Sequence, residues 1–393
     1  RVRKHHFHLP KNITYLDGNS LGPLPKATAK RVDKTIQNEW GEMLIRGWND
    51  AGWMRQPSEL GDRLGKLLGC PKGTLVLGDT LSIKVYQALS AALKMRQDRK
   101  IILSDNGNFP TDLYMAQGLI TSLDQGHQLN VVAPGKVIEH LNEDVAVLML
   151  TQVDYRTGRM HDMDALTKAA HAKGCIVIWD LAHSAGAVPV DMIKSNAEFG
   201  IGCTYKYLNG GPGAPAFIYA RADISDKIEP SLSGWLGHDA PFAFGLDYRP
   251  AKGIERMRVG TPPILQLAAL DAALDIWDDI SMEELRARSI ILSELFIKEV
   301  EAHCPQLELA SPREAANRGS QVSFRFANGY QAMQALIDEG VIGDFRAPDI
   351  MRFGFTPLYI DEADVMKAVE ILINVMQNEL WKQDKFQQRS EVT

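Results

Sequence analysis

Lys206 stands between two tyrosines in Cys203-Thr204-Tyr205-Lys206-Tyr207-Leu208-Asn209-Gly210-Gly211-Pro212-Gly213, with almost nothing else charged nearby. An amine in such a setting is partly desolvated, which lowers its pKa and exposes a nucleophile. The competing reading is a lysine at the start of a hairpin turn, because the apolar run Ala214 to Tyr219 reads as the next strand. What tips the balance lies upstream. Asp180 ends the strand-like run Cys175-Ile176-Val177-Ile178-Trp179, and a buried aspartate there needs a cationic partner. Thr80-Leu81-Ser82 precede a helical face of Ile83, Tyr86, Leu89, Ala92 and Leu93. Free N–H groups at a helix start attract anions, and capping alone explains one hydroxyl residue rather than two.

An amine to form a Schiff base with an aldehyde, a carboxylate for a ring nitrogen and a cradle for a phosphate are the needs of pyridoxal phosphate. His183 follows Asp180 by three residues and could lie over a ring face or hydrogen-bond Asp180. A satisfied structural histidine is the plainer alternative. Phe109 offers a surface for the opposite ring face, and Asp112 is a second carboxylate within reach of the ring. Arg352 could clamp a substrate α-carboxylate with two parallel hydrogen bonds, or form an ordinary ion pair. Asn19 and Ser20, in the turn Asp17-Gly18-Asn19-Ser20-Leu21-Gly22-Pro23, could face a ligand or cap the helix that follows.

The elements that must position these groups are legible from periodicity. A chain of 393 residues exceeds what one core usually serves, so two domains are expected. Short apolar strands end at Asp105, Val132, Thr151, Asp180 and near Lys206, with helices between them. That alternation means a largely parallel sheet buried on both faces, with ligands beyond the carboxyl ends of the strands. Thr151, Asp180 and Lys206 all fall at such ends. Neither a GxGxxG nor a GxxxxGK sequence occurs, so no dinucleotide fold or P-loop is indicated. A helix is expected from Pro25 through Trp40, with Ala29, Val32, Ile36 and Trp40 on its apolar face. Trp40, Trp48 and Trp53 crowd one stretch and read as core or as the wall of a flat site. Proline is expected in the first turn of a helix starting near Ile264. The helix over about Met282 to His303 leads into an α+β part, where Val322-Ser323-Phe324-Arg325-Phe326 alternates as a half-buried strand. The tail beyond Lys382 reads as loose.

A net charge of −6 gives no footprint for nucleic acid. No run of 18 apolar residues occurs, so no membrane span is expected. The basic start Arg1 to Pro10 lacks the apolar region of a signal peptide, and His5, His6 and His8 are not expected to form a metal site. Cys70, Cys175, Cys203 and Cys304 are far apart and have no zinc spacing, which suits reduced thiols in the cytoplasm.

The motifs together resemble fold-type I pyridoxal-phosphate enzymes, in the group that holds cysteine desulfurases and kynureninases. Shared stretches are Tyr15 to Gly22, Asn108-Phe109-Pro110-Thr111-Asp112, Trp179-Asp180-Leu181-Ala182-His183-Ser184-Ala185-Gly186, Tyr205 to Gly213, Arg258-Val259-Gly260-Thr261-Pro262-Pro263 and Arg352-Phe353-Gly354-Phe355. The Asn-Ser-Leu-Gly turn and the loop Gly234-Trp235-Leu236-Gly237-His238 favour kynureninases. The resemblance implies an α/β fold: a large domain with a mainly parallel seven-stranded sheet flanked by helices, and a smaller α+β domain built from the C-terminal part with the N-terminal segment. The divisions are 1–57, 58–280 and 281–393. It implies Lys206, Tyr205 and Asp180 as catalytic groups. The cofactor would be held by Leu81, Ser82, Phe109, Asp112, Thr151, Asp180, His183, Tyr205 and Lys206. Trp235 and Thr261 resemble positions where a neighbouring subunit meets the cofactor, in a homodimer with shared sites. Asn19, Ser20, Trp48 and Arg352 would face the substrate, and some family members carry a histidine near Trp48. The implied reaction is hydrolysis of L-kynurenine, or of 3-hydroxykynurenine. The rivals are cysteine desulfuration or selenocysteine cleavage, which need a mobile cysteine, and a non-enzymatic scaffold or cofactor-binding regulator.

Overall fold

The computed structural model describes residues 3–391. Its first strands are β1 (Thr14–Tyr15), β2 (Leu75–Leu77), β3 (Ile101–Asp105), β4 (Gln128–Val132), β5 (Val145–Thr151), β6 (Ile176–Asp180), β7 (Phe199–Gly202) and β8 (Phe217–Ala220). A seven-stranded sheet takes them in the order β2-β8-β7-β6-β5-β3-β4. Strand β8 runs antiparallel to both of its neighbours, and the other six strands are parallel to one another.

The apolar runs are unbroken because both faces are covered. All seven residues of β5 are buried. Leu148 and Leu150 enter one core with Val177 and Trp179, whereas Val147 and Met149 enter the other with Ile178. That is the two-residue period of a strand, with no face left for polar residues. Each such aliphatic side chain contributes about 1.5–3 kcal/mol by leaving water. Helix Leu81–Met95 is covered almost all round, which follows from its lying between the sheet and helix Pro110–Leu123.

The C-terminal part adds β9 (Glu308–Leu309), β10 (Gln321–Arg325), β11 (Val341–Ile342), β12 (Asp344–Arg346) and β13 (Ile350–Gly354). Four of these form an antiparallel sheet in the order β12-β13-β10-β9. The N-terminal segment joins this region, because β1 pairs in parallel with β11. Helices Met282–His303 and Glu362–Gln377 pack on each other, the second opened by a capping box between Asp361 and Asp364. No helix among the described residues is long and apolar enough to cross a membrane.

Several sequence expectations change. The stretch after Lys34 continues as a π-helical segment, Thr35–Trp40, that buries Thr35 and Glu39 while Ile36 and Trp40 are exposed. Glu39 is drawn inward by Arg31, at 2.9 Å, and by the Trp53 indole N–H, at 3.0 Å. The strand near Val322 is buried on both sides rather than one. A crossing loop meets its polar members: Ser323 donates to the Arg156 carbonyl at 2.5 Å and the Gln321 amide N–H groups to those of Asp154 and Tyr155 at 2.9 Å, while Gln321 Oε1 has no partner. Helix Ile264–Leu274 begins after Pro263, which sits in the capping position rather than inside the first turn. The tail is not loose throughout, because Phe386 is buried in the main core. Arg1, Val2, Val392 and Thr393 lie outside the described residues.

Candidate active site

The parallel strands bring their carboxyl ends to one edge. The helix start at Leu81 follows β2, Asn108 and Phe109 follow β3, Thr151 ends β5, Asp180 ends β6, and Lys206 lies four residues beyond β7. Thr151 and Asp180 are directly paired across β5 and β6.

The lysine loop is rigidly built. Gly210 donates its N–H to the Thr204 carbonyl at 2.8 Å and Asn209 to that of Lys206 at 3.1 Å. Asn209, Gly211 and Gly213 take positive φ, which turns the chain back into β8. The N-terminal turn packs directly on this loop, with Gly22 donating to the Tyr205 carbonyl at 2.9 Å. A Cβ on Gly22 would meet the Lys206 carbonyl oxygen at 2.6 Å, so the approach requires glycine. Burial lowers the Lys206 pKa, and the charges of Arg352 and Arg346 act in the same direction. Its Nζ lies over the Tyr205 ring, 5.0 Å from the centroid. The lysine is therefore in a hairpin connection and desolvated, so both sequence readings hold at once.

Asp112 and Asp180 are both buried and lie within hydrogen-bonding reach of each other. Burial raises both pKa values, and the charge of Asp180 raises Asp112 further. Asp180 is favoured as the ionised member because it accepts the Ala182 N–H at 2.8 Å. Among the described residues, no cation forms an ion pair with either carboxyl. Thr151 donates to Asn108 Oδ1 at 2.6 Å and reaches Asp112 at 3.5 Å. His183 is buried, and its Nδ1 has no partner. Burial, then the charges of Lys206 and Arg352, hold its pKa well below the ordinary histidine value, so it is neutral at neutral pH. Phe109 is 44% exposed, and its ring meets Tyr155 edge-on at 5.2 Å. Helix Leu81–Met95 begins with no side-chain cap from Thr80, which leaves its first N–H groups open.

Pyridoxal phosphate fits these residues. The acid pair lacks a cation, the helix start lacks a cap, and a neutral histidine and an open phenylalanine offer flat surfaces. Tyr205 is pushed up by burial and so keeps its phenol proton.

Arg352 is 1% exposed. Its Nε and Nη2 donate to the two Asp344 oxygens at 2.7 and 2.6 Å, and Nη1 donates to the Tyr155 carbonyl at 2.6 Å. Of a guanidinium's five N–H donors, Nη1 and Nη2 thus keep one each. The ion pair and the clamp are compatible. Asn19 is fully buried, and neither atom of its amide has a partner. Ser20 holds the turn by donating its N–H to the Asp17 carbonyl at 2.9 Å. Trp48 packs edge-on against Trp53 at 5.8 Å, away from the lysine loop in sequence and element. Trp235 is 40% exposed beside Phe242 and Phe244, and Thr261 is exposed too. Sequence reasoning missed Asn108 as a partner of Thr151, along with Tyr155, Asp344 and Asp17. Only the Asn-Phe-Pro turn carried any signal for the first, and the others are assembled by distant strands.

The family model for the kynureninase C-terminal domain matches residues 285–372. The chain is 48% identical over 394 residues to a kynureninase of Pseudomonas fluorescens, covering 98% of this chain and 95% of that protein. It is 46% identical to a kynureninase of Burkholderia pseudomallei (strain 1106a), with the same coverage of both proteins. An apo cysteine desulfurase from Thermococcus onnurineus NA1 superposes with a TM-score of 0.81 at 18% identity, over 96% of this chain and 99% of that one. At that identity the likeness is one of fold.

Proposed function

The chain belongs to the kynureninase family, and on that premise we propose that it hydrolyses the Cβ–Cγ bond of L-kynurenine to anthranilate and L-alanine with pyridoxal phosphate as cofactor. The observation that carries this is the 48% identity over 98% of the chain. When bound, the cofactor supplies an electron sink that labilises bonds at the substrate Cα and, in turn, Cβ.

The chain's own residues divide the remaining work. Ser82, the N–H groups from Leu81 onward and Tyr205 would bind the phosphate. Phe109 and the neutral His183 would cover the ring faces, while Asp180, with Asp112 and Thr151, would meet the ring nitrogen. Lys206 Nζ would hold the cofactor, and as a neutral amine it would take the proton from substrate Cα. Tyr205 Oη, protonated at rest, is the group that exchanges a proton with the substrate ketone as water adds and the hydrate breaks down. Arg352 holds the α-carboxylate. Asn19 and Ser20 would lie on the side of the substrate's aromatic ring, where the extra hydroxyl of 3-hydroxykynurenine would sit; Trp48, which packs on Trp53 away from this chain's lysine loop, would reach that ring only from a partner subunit.

A homodimer with shared sites belongs to the same proposal. It is supported by the apolar side chains open to solvent in one chain: Trp40, Leu44, Ile45, Phe242, Phe244 and Leu246. Trp235 and Thr261 would reach the partner's cofactor. The division into a segment to residue 57, a cofactor unit over 58–280 and a small unit over 281–393 is proposed with it, supported by the two separate sheets. So is a cytoplasmic location, supported by four buried, unpaired cysteines.

Desulfurase chemistry finds no nucleophile. All four cysteines are buried, and burial pushes the thiols of Cys203 and Cys304 up to about 11. Incubating the holoenzyme separately with kynurenine, 3-hydroxykynurenine and cysteine is expected to give fluorescent anthranilate, or its hydroxylated form, with stoichiometric alanine and no sulfide. Sulfide from cysteine without cleavage of either kynurenine would overturn the reading. Arg352→Lys is expected to raise KM at least about tenfold, because lysine lacks the planar fork. Unchanged kinetics in that variant would leave Arg352 with only its ion pair to Asp344.

A further inference from the structure

Asp17 is buried, and its Oδ1 has no partner. Its carboxyl lies in hydrogen-bonding reach of Asp344, the residue that holds Arg352. Backbone pairing fixes this meeting. Leu16 donates its N–H to the Ile342 carbonyl at 2.7 Å and accepts that of Gly354 at 2.7 Å, so the next residue faces the β12–β13 pair. Asp344 and Arg352 are directly opposed in that pair, and Arg346 Nη2 approaches Asp344 at 3.4 Å. Two carboxylates so close cannot both ionise without cost, and one retains a proton.

We propose that Asp17 is a positioning residue for substrate binding: as a neutral acid it donates its proton to Asp344, leaving the Arg346–Arg352 pair with one positive charge for the substrate's α-carboxylate. The inference rests on reading Arg352 as the carboxylate clamp. The charge balance is its core. Two guanidiniums against one carboxylate match an incoming anion, whereas two against two carry no net charge to attract it. Burial and the Asp344 charge push the Asp17 carboxyl up to about 9, while the arginines pull it down. The other titratable groups facing Asp17 are Tyr15, Tyr207 and Tyr359, all phenols that burial keeps protonated. Lys206 and the neutral His183 share the field of the two arginines.

The sign follows. Below the raised pKa, Asp17 is neutral and the clamp is cationic; as pH rises through it, Asp17 ionises and substrate affinity falls. Asp17→Asn keeps an N–H donor for Asp344 but cannot ionise. KM for L-kynurenine, measured on both holoenzymes from about pH 7 to 10, is expected to give a wild-type to variant ratio that climbs above the Asp17 pKa, by about tenfold per unit at its steepest. A ratio independent of pH would overturn the proposal. Asp17→Ser, which also keeps a donor, serves if Asp17→Asn does not fold. A second readout needs no turnover: the infrared difference spectrum between wild type and Asp17→Asn should hold a protonated-carboxyl C=O band, beyond that of the neutral Asp112 which both proteins share, and this band should titrate near pH 9. A wild type that shows this band but cleaves no kynurenine would sink the functional reading and leave the proton on Asp17 standing. No such band would sink the inference alone.

Discussion

Lys206→Ala is expected to lose L-kynurenine turnover by on the order of 10^4-fold or more, with the fold intact. The loss would be large because, in the proposed roles, one amine serves twice, holding the cofactor and moving the Cα proton. The fold should survive because Lys206 Nζ forms no hydrogen bond or ion pair among the described residues and lies over the Tyr205 ring. Removing a desolvated amine with no charged partner relieves a burial cost rather than creating one. The lowered pKa also sets a pH direction: the neutral, basic form persists to lower pH than in free lysine and is lost as pH falls through the shifted value. Three measurements check this: anthranilate fluorescence for turnover, an unfolding curve for the fold, and protein mass after borohydride for the linkage. The wild type should gain the cofactor's mass and the variant should not. A variant that still fixes the cofactor would move the attachment to another lysine.

Asp180→Asn should cost roughly a hundredfold or more in turnover, equivalent to about 2.7 kcal/mol of transition-state stabilisation. Asparagine preserves the shape and can still accept the Ala182 N–H, now at 2.8 Å from Asp180 Oδ1. It cannot carry the negative charge that keeps a pyridinium protonated. Asp112→Asn is the informative contrast. Burial and the Asp180 charge raise the Asp112 pKa well above the carboxylate range, so its neutral form already prevails beside an ionised Asp180. An amide imitates that neutral acid, and the loss should be clearly smaller than for Asp180→Asn. Equal losses, or a larger one for Asp112→Asn, would reverse the assignment of the charge within the pair.

The sequence by itself determined what depends on local order. Strand and helix periods located the sheet, and the turn residues after β7 located the lysine loop. The apolar run of β5 announced a sheet covered on both faces, because burial on both sides is what suits six apolar residues in succession, Val145 to Leu150. Thr151, Asp180 and the helix start at Leu81 were legible because a parallel sheet sends every strand end to one edge. Tertiary structure decided the rest. The direction of β8 is set by its hairpin with β7, and its letters alone do not distinguish it from a parallel strand. The face carrying Ile36 and Trp40 has the spacing of a core face, yet Arg31 and Trp53 draw Glu39 inward instead. Cys304, the capping residue after the helix ending at His303, is fully buried in the main core, which its place beside a proline in the sequence does not reveal. Arg352 looked like a choice between clamp and ion pair; register supplied the ion pair, by setting Asp344 opposite it and Asp17 against Asp344, and left two guanidinium N–H donors for the proposed clamp. Residues 17, 344 and 352 meet through strand pairing between the two ends of the chain. Which charges face one another there depends on register and burial, and neither is written in the spacing of the residues themselves.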